Sequence, residues 1–107
     1  MNEQYDLCWD VKASDRLKEI YGYISDNYSK HSAQKVKNDI CDAVETLVNM
    51  PERYPREPML AHLPENYRYI LVRKMWRIIY EFTGSEVRIF YIHNMKQNPE
   101  NILRAAE

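Results

Sequence analysis

Glycine is almost missing from this chain of 107 residues: there are two, alongside two cysteines and two phenylalanines. So little glycine excludes collagen-like and low-complexity chains, and 45% hydrophobic with 29% charged residues excludes disorder. Cys8 and Cys41 are too few for a disulfide framework and lack metal-ligand spacing. His31, His62 and His93 stand far apart on different elements, so no metal site is expected. There is no glycine-rich phosphate loop and no nucleophile elbow, and no cofactor is expected. No apolar run approaches the roughly 20 residues of a membrane span, and Met1-Asn2-Glu3-Gln4 is no signal-peptide start. The expectation is one domain over residues 1–107, cytoplasmic, with reduced thiols and no membrane contact.

What is present is a lopsided charge. The formal net charge is −1, yet residues 1–50 carry −3 and residues 66–107 carry +3. A local positive surface on a near-neutral protein suits a limited contact with a polyanion or an acidic partner, not an all-over nucleic-acid coat. Ion pairs on a solvated face are the plainer reading of the same residues.

Tyr5, Leu7, Trp9 and Val11 alternate with Asp6, Cys8 and Asp10, which predicts a half-buried strand over 5–11. Ser14 and Asp15 then open a helix with the stripe Leu17, Ile20, Tyr21, Ile24 and Tyr28. Ser29 or Ser32 starts a second, with Val36, Ile40, Ala43, Val44, Leu47 and Val48, stopped by Pro51. The pair forms an αα-hairpin. Four prolines in 51–66 predict a surface connection without helix or central strand.

Three strand-like runs follow: Tyr67–Arg73, Trp76–Phe82 and Val87–His93. Gly84-Ser85 signals a two-residue hairpin, pairing Phe82 with Val87, Glu81 with Arg88, Ile79 with Phe90 and Arg77 with Ile92. A tight turn at Lys74-Met75 pairs Arg68 with Glu81 and Val72 with Arg77. One face then reads as a ladder Arg68–Glu81–Arg88, an apolar middle and Arg77, left open. The other face, with Tyr69, Leu71, Ile78, Tyr80, Phe82, Val87, Ile89 and Tyr91, lies under the helices. Asn98-Pro99 opens a short last helix. The order β-α-α-β-β-β-α is α+β: a helical hairpin on one face of a small antiparallel sheet, with a short C-terminal helix.

Chemistry has one candidate seat, the sheet end where Arg77, His93 and Lys96 converge. RNA cleavage by 2′-hydroxyl attack needs a base, cations for the phosphorane and an acid, but no metal. Arg77 among Trp76, Ile78 and Ile79 needs a reason to be there; its plain reading is a carboxylate partner such as Glu81. His93 is read equally well as structural.

Three segments together resemble a known family: Leu47-Val48-Asn49-Met50-Pro51, the strand Trp76-Arg77-Ile78-Ile79-Tyr80, and His93-Asn94-Met95-Lys96-Gln97-Asn98-Pro99-Glu100. Their order and spacing over about residues 5–103 are similar to the RelE/ParE superfamily of toxins from bacterial type II toxin–antitoxin modules. The resemblance implies a toxin neutralised by a cognate antitoxin encoded beside it. It leaves two mechanisms open: a ParE-like poison of DNA gyrase, or a RelE-like ribosome-dependent mRNA endonuclease with Arg77, His93 and Lys96 as catalytic residues. The long hairpin and the mildly acidic chain favour the ParE-like branch. An acidic antitoxin or a target is expected on Arg68, Arg73, Lys74, Arg77 and Arg88. A non-toxic interaction module on the same fold is the reading from another class.

Overall fold

Alternation ends where the first helix begins. In the computed structural model, which describes residues 4–107, Asp6–Trp9 form strand β1, with Leu7 and Trp9 turned toward the core and Asp6 and Cys8 exposed. Val11 does not continue the strand. It opens helix α1 (Val11–Asn27), because Asp10, not Ser14, is the N-cap and accepts from the Lys12 amide at 2.9 Å. Helix α2 (Lys30–Thr46) starts at the Ser29 cap, whose hydroxyl accepts from the Ser32 amide at 3.0 Å. The connection after Pro51 is not wholly without helix: Pro58–Leu60 make one 3-10 turn, with Glu57 as N-cap and Pro58 at the first position. Strands β2 (Tyr67–Val72), β3 (Trp76–Phe82) and β4 (Glu86–Asn94) follow, then helix α3 (Glu100–Ala105).

The class is α+β and the element order is the expected one. The sheet order is β1-β4-β3-β2, in which β2, β3 and β4 form the antiparallel meander and β1 adds a parallel edge beside β4. β1 pairs only with Glu86–Ile89. Beyond it the edge of β4 is covered by α1, where Arg16 Nε donates to the Ile92 carbonyl at 3.0 Å and the guanidinium lies 5.6 Å from the Tyr91 ring.

Two local irregularities change which residues share a face. The β2–β3 turn has three residues, Arg73, Lys74 and Met75, the first two at φ 56°, so Tyr67 and not Arg68 opposes Glu81. One residue of slip moves a whole strand to the other face. Arg68 therefore stands opposite Tyr80, while Tyr69 and Leu71 leave the helix side. Second, the register shifts between Ile79 and Tyr80, leaving Phe90 as an extra residue, so that Ile79 opposes Tyr91 and Arg77 opposes His93. The hairpin pairs Phe82–Val87 and Glu81–Arg88 are as expected.

The hairpin face buries Ala13, Ile20, Ile40 and Val44 against Val72, Ile78, Val87, Ile89 and Ile92. Tyr80 is fully buried within it, and its hydroxyl donates to the Pro51 carbonyl at 2.5 Å. Burial pushes that phenol well above its usual range. The other face is not open. Leu60 and Ile102 fold over Ile79 and Phe90 as a second, smaller core, so the proline-rich connection and α3 cover what was expected to face solvent.

The charges of α2 oppose its dipole. Lys30, Lys35 and Lys37 occupy its first half and Asp39, Asp42 and Glu45 its second, with no acid in the first turn and no base in the last. Lys30→Glu is expected to stabilise the protein by about 0.3–1 kcal/mol at low salt. Tyr80→Phe, which strands the Pro51 carbonyl, is expected to cost about 1–2 kcal/mol. Urea denaturation of each variant checks both, and a Tyr80→Phe variant as stable as the wild type would remove the phenol from the account.

Candidate functional site

Arg77 and His93 face one another across β3 and β4 because the extra residue at Phe90 turns Tyr91 and His93 to the second face. Arg77 lies flat over the Tyr69 ring, 3.5 Å from the guanidinium carbon to the centroid. Its Nε donates to Glu57 Oε1 at 2.7 Å, and the Glu57 side chain is 1% exposed. The other carboxylate oxygen of Glu57 accepts from the Met59 amide at 2.9 Å, and the Glu57 amide donates to the Tyr67 carbonyl at 2.9 Å. One acid thus caps the 3-10 turn, neutralises Arg77 and hangs the connection on β2. Arg77's partner is this residue and not Glu81, which pairs with Arg88.

A cavity of about 250 Å³ opens at this cluster, lined by Glu57, Met59, Arg77, His93, Met95 and Ile102 among others. His93 is 2% exposed, and its Nδ1 has no hydrogen-bond partner among the described residues. Burial, reinforced by the Arg77 charge, holds its pKa below the ordinary 6.5, so the imidazole is neutral at physiological pH. A neutral imidazole beside an arginine has the types that proton abstraction and charge stabilisation need. The arginine's charge, however, is already met by a buried carboxylate. No group of acids, cysteines and histidines among the described residues is placed to hold a metal ion.

The remaining candidates are dispersed. Lys96 is exposed and lines a different cavity, of about 430 Å³, with Tyr23, Tyr28, Arg73 and Trp76. Arg68 is turned inward: its Nη1 donates to the carbonyls of Glu52 and Tyr54 at 3.1 and 2.6 Å, and its Nε to Asn66. Arg73 pairs with Asp39 of α2 at 2.5 Å. Arg88 pairs with Glu86 at 2.6 Å, which raises its pKa. Lys74 is exposed in the turn. The expected trio thus reduces to Arg77 with His93, and Glu57 joins it. Glu57 carries one local signal in the sequence, an acid directly before Pro58, an N-cap pattern that says nothing of a partner twenty residues on.

A family model described as "ParE toxin of type II toxin-antitoxin system, parDE" matches residues 7–99. The chain belongs to the ParE toxin family. The helical hairpin, the meander and the strand-end histidine lie inside that match, which begins within β1 at Leu7. No curated protein matches the sequence. Among solved structures, a chain of the "Chromosomal ParDE TA system from P. aeruginosa" superposes with a TM-score of 0.72 at 22% identity. That alignment covers 86% of this chain and 97% of the other, and at this identity it speaks for the fold alone. No helix among the described residues is long and apolar enough to cross a membrane.

The ion pair and the histidine each have a stability signature. Arg77→Met leaves a buried carboxylate alone and is expected to cost about 3–5 kcal/mol. Glu57→Gln keeps the cap and costs less, and the double variant Glu57→Gln/Arg77→Met is expected to recover most of the loss. Additive losses in chemical denaturation would show that the two side chains are not coupled. For His93, a depressed folded-state pKa means that stability is full above about pH 6.5 and falls as the pH drops, because the unfolded chain takes up a proton the native one refuses. His93→Gln is expected to flatten stability against pH below 6.5; an unchanged slope would assign the acid lability to other groups.

Proposed function

We propose that this ParE-family toxin acts on DNA gyrase and is held inactive by a cognate antitoxin encoded beside it. The observation that carries this reading is the Arg77–Glu57 pair. A ribonuclease needs Arg77's positive charge for a phosphorane, whereas here that charge already faces, through Nε, a carboxylate whose side chain is 1% exposed, and only the Nη donors are left for a phosphate. Lys96, the second cation of a nuclease site, lines another cavity. A near-neutral chain with its sheet arginines paired also lacks the dense cationic surface that ribosomal RNA binding calls for. Gyrase inhibition needs a protein contact surface and no acid–base pair. Both activities belong in the cytoplasm.

The ribosome-dependent nuclease remains the second reading for one reason: His93, neutral and with Nδ1 unpartnered, stands beside Arg77 on one cavity. Of the residues expected to meet antitoxin or target, Arg73, Lys74 and Arg88 are the more solvent-accessible, while Arg68 and Arg77 are engaged inward.

A short induction of the chain in a bacterial host, with mRNA 5′ ends mapped beside DNA breaks trapped on gyrase, tests the proposal. Gyrase-linked breaks with intact messages are expected. New cleavages inside translated codons would replace this reading with the nuclease, and normal growth with neither signal would leave a non-toxic interaction module.

A further inference from the structure

We infer that the cleft between the C-terminal end of α1 and the strand ends at Trp76 and Asn94 is a binding site for a nucleotide, a flat base carrying a phosphate. Exposed aromatic surface marks it. The chain has nine tyrosines, two tryptophans and two phenylalanines. Among the described residues only Tyr23 and Tyr28 of these are exposed, at 62% and 74%, and both line one cavity of about 430 Å³. That volume lies within the range of small-ligand sites. Packing does not account for either ring. Tyr28 falls on the apolar stripe of α1 in the sequence, four residues after Ile24. The helix ends at Asn27, however, and Tyr28, its C-cap at φ −130° and ψ −85°, leaves the core. Tyr23 lies off that stripe.

The rest of the lining fits such a ligand. Trp76 is 6% exposed, and its indole N–H has no hydrogen-bond partner among the described residues, although a buried indole ordinarily finds one. Asn94 stands opposite Trp76 in the ladder, and its Oδ1 accepts from the Lys96 amide at 2.9 Å, which leaves Nδ2 as a donor. Asp39 accepts from Arg73 Nε at 2.5 Å and so fixes that side chain, while the two Nη groups donate to nothing among the described residues. Exposed lysines occur all along the chain, so the charge of Lys96 by itself singles out nothing; two open phenol rings beside an indole do. No acid among the described residues lines the cavity, so its free side-chain groups are mainly donors. A base brings ring-nitrogen and carbonyl acceptors and two faces that stack on tyrosine or tryptophan. Its phosphate suits the Arg73 fork and the Lys96 ammonium. A peptide brings N–H groups for which the cleft has few acceptors. One nucleotide is also the scale of contact that a near-neutral chain suits. The cleft lies on the hairpin side of the sheet, apart from the cavity of Arg77 and His93.

The test titrates the full chain with adenosine 5′-monophosphate, adenosine and a single-stranded deoxyadenylate octamer, followed by tryptophan fluorescence and calorimetry. Saturable binding of the monophosphate is expected, with adenosine at least about tenfold weaker for want of the phosphate contact. Tyr23→Ala/Tyr28→Ala is expected to lose at least about tenfold in affinity at an unchanged melting temperature, since both rings are exposed. Lys96→Gln is expected to weaken the monophosphate and to leave adenosine unchanged. A tighter octamer assigns the site to single-stranded nucleic acid, and an equal or weaker one assigns it to a free nucleotide; either supports the site. No saturable binding of any of the three, adenosine as tight as the monophosphate, or binding that the tyrosine variant leaves intact overturns it. Loss of growth arrest in the tyrosine variant, with no nucleotide bound by the wild type, makes the two rings a protein contact and likewise overturns the nucleotide site.

Discussion

The ion pair between Glu57 and Arg77 ties the proline-rich connection to the centre of the sheet, and the second face is organised around it. Glu57 caps the 3-10 turn that places Leu60, Leu60 packs with Ile79 and Phe90, and Ile102 of α3 closes over the same cluster. A carboxylate this buried is sustainable only because a guanidinium and a backbone amide both meet it. The same bond that makes the second face a packed layer takes from Arg77 the charge that a phosphate-handling site would use.

Much of this fold was legible as pattern. Alternation gave β1, helical periodicity gave the hairpin, and Gly84-Ser85 set the β3–β4 turn correctly. The errors lie where the backbone departs from the ideal period. Lys-Met is poor turn chemistry, and the chain resolves it with a third residue and two left-handed φ values at Arg73 and Lys74. That slip carried Arg68 inward and Tyr69 under Arg77, creating the stack that orients the guanidinium. The extra residue at Phe90 likewise put Tyr91 and His93 on the second face. A bulge has no strong mark in a run as uniformly apolar as Val87–His93, so a two-residue alternation could not place them. Glu57 was invisible for a different reason: its partner lies across the fold, and no local pattern names a long-range ion pair.

Charge on this protein is divided by residue type as well as by position. The arginines of the sheet are used internally, holding Glu52 and the adjoining loop carbonyls, Asp39 of α2, Glu57 and Glu86. Their planar forks suit such fixed bonds. The lysines, Lys74 and Lys96 as well as those of the hairpin, are exposed and form no ion pair among the described residues. A basic C-terminal third in the sequence therefore translates into a cross-linked sheet and not into a cationic face.

In the proposed reading Arg77 serves the architecture of this ParE-family toxin and not its action. Growth arrest by the Glu57→Gln/Arg77→Met double variant, produced at wild-type level and folded, tests it most directly. Arrest is expected to persist, because the neutral pair preserves the cap and the packing. Loss of arrest in a folded double variant would contradict it and return Arg77, with His93, to the chemistry of the toxin.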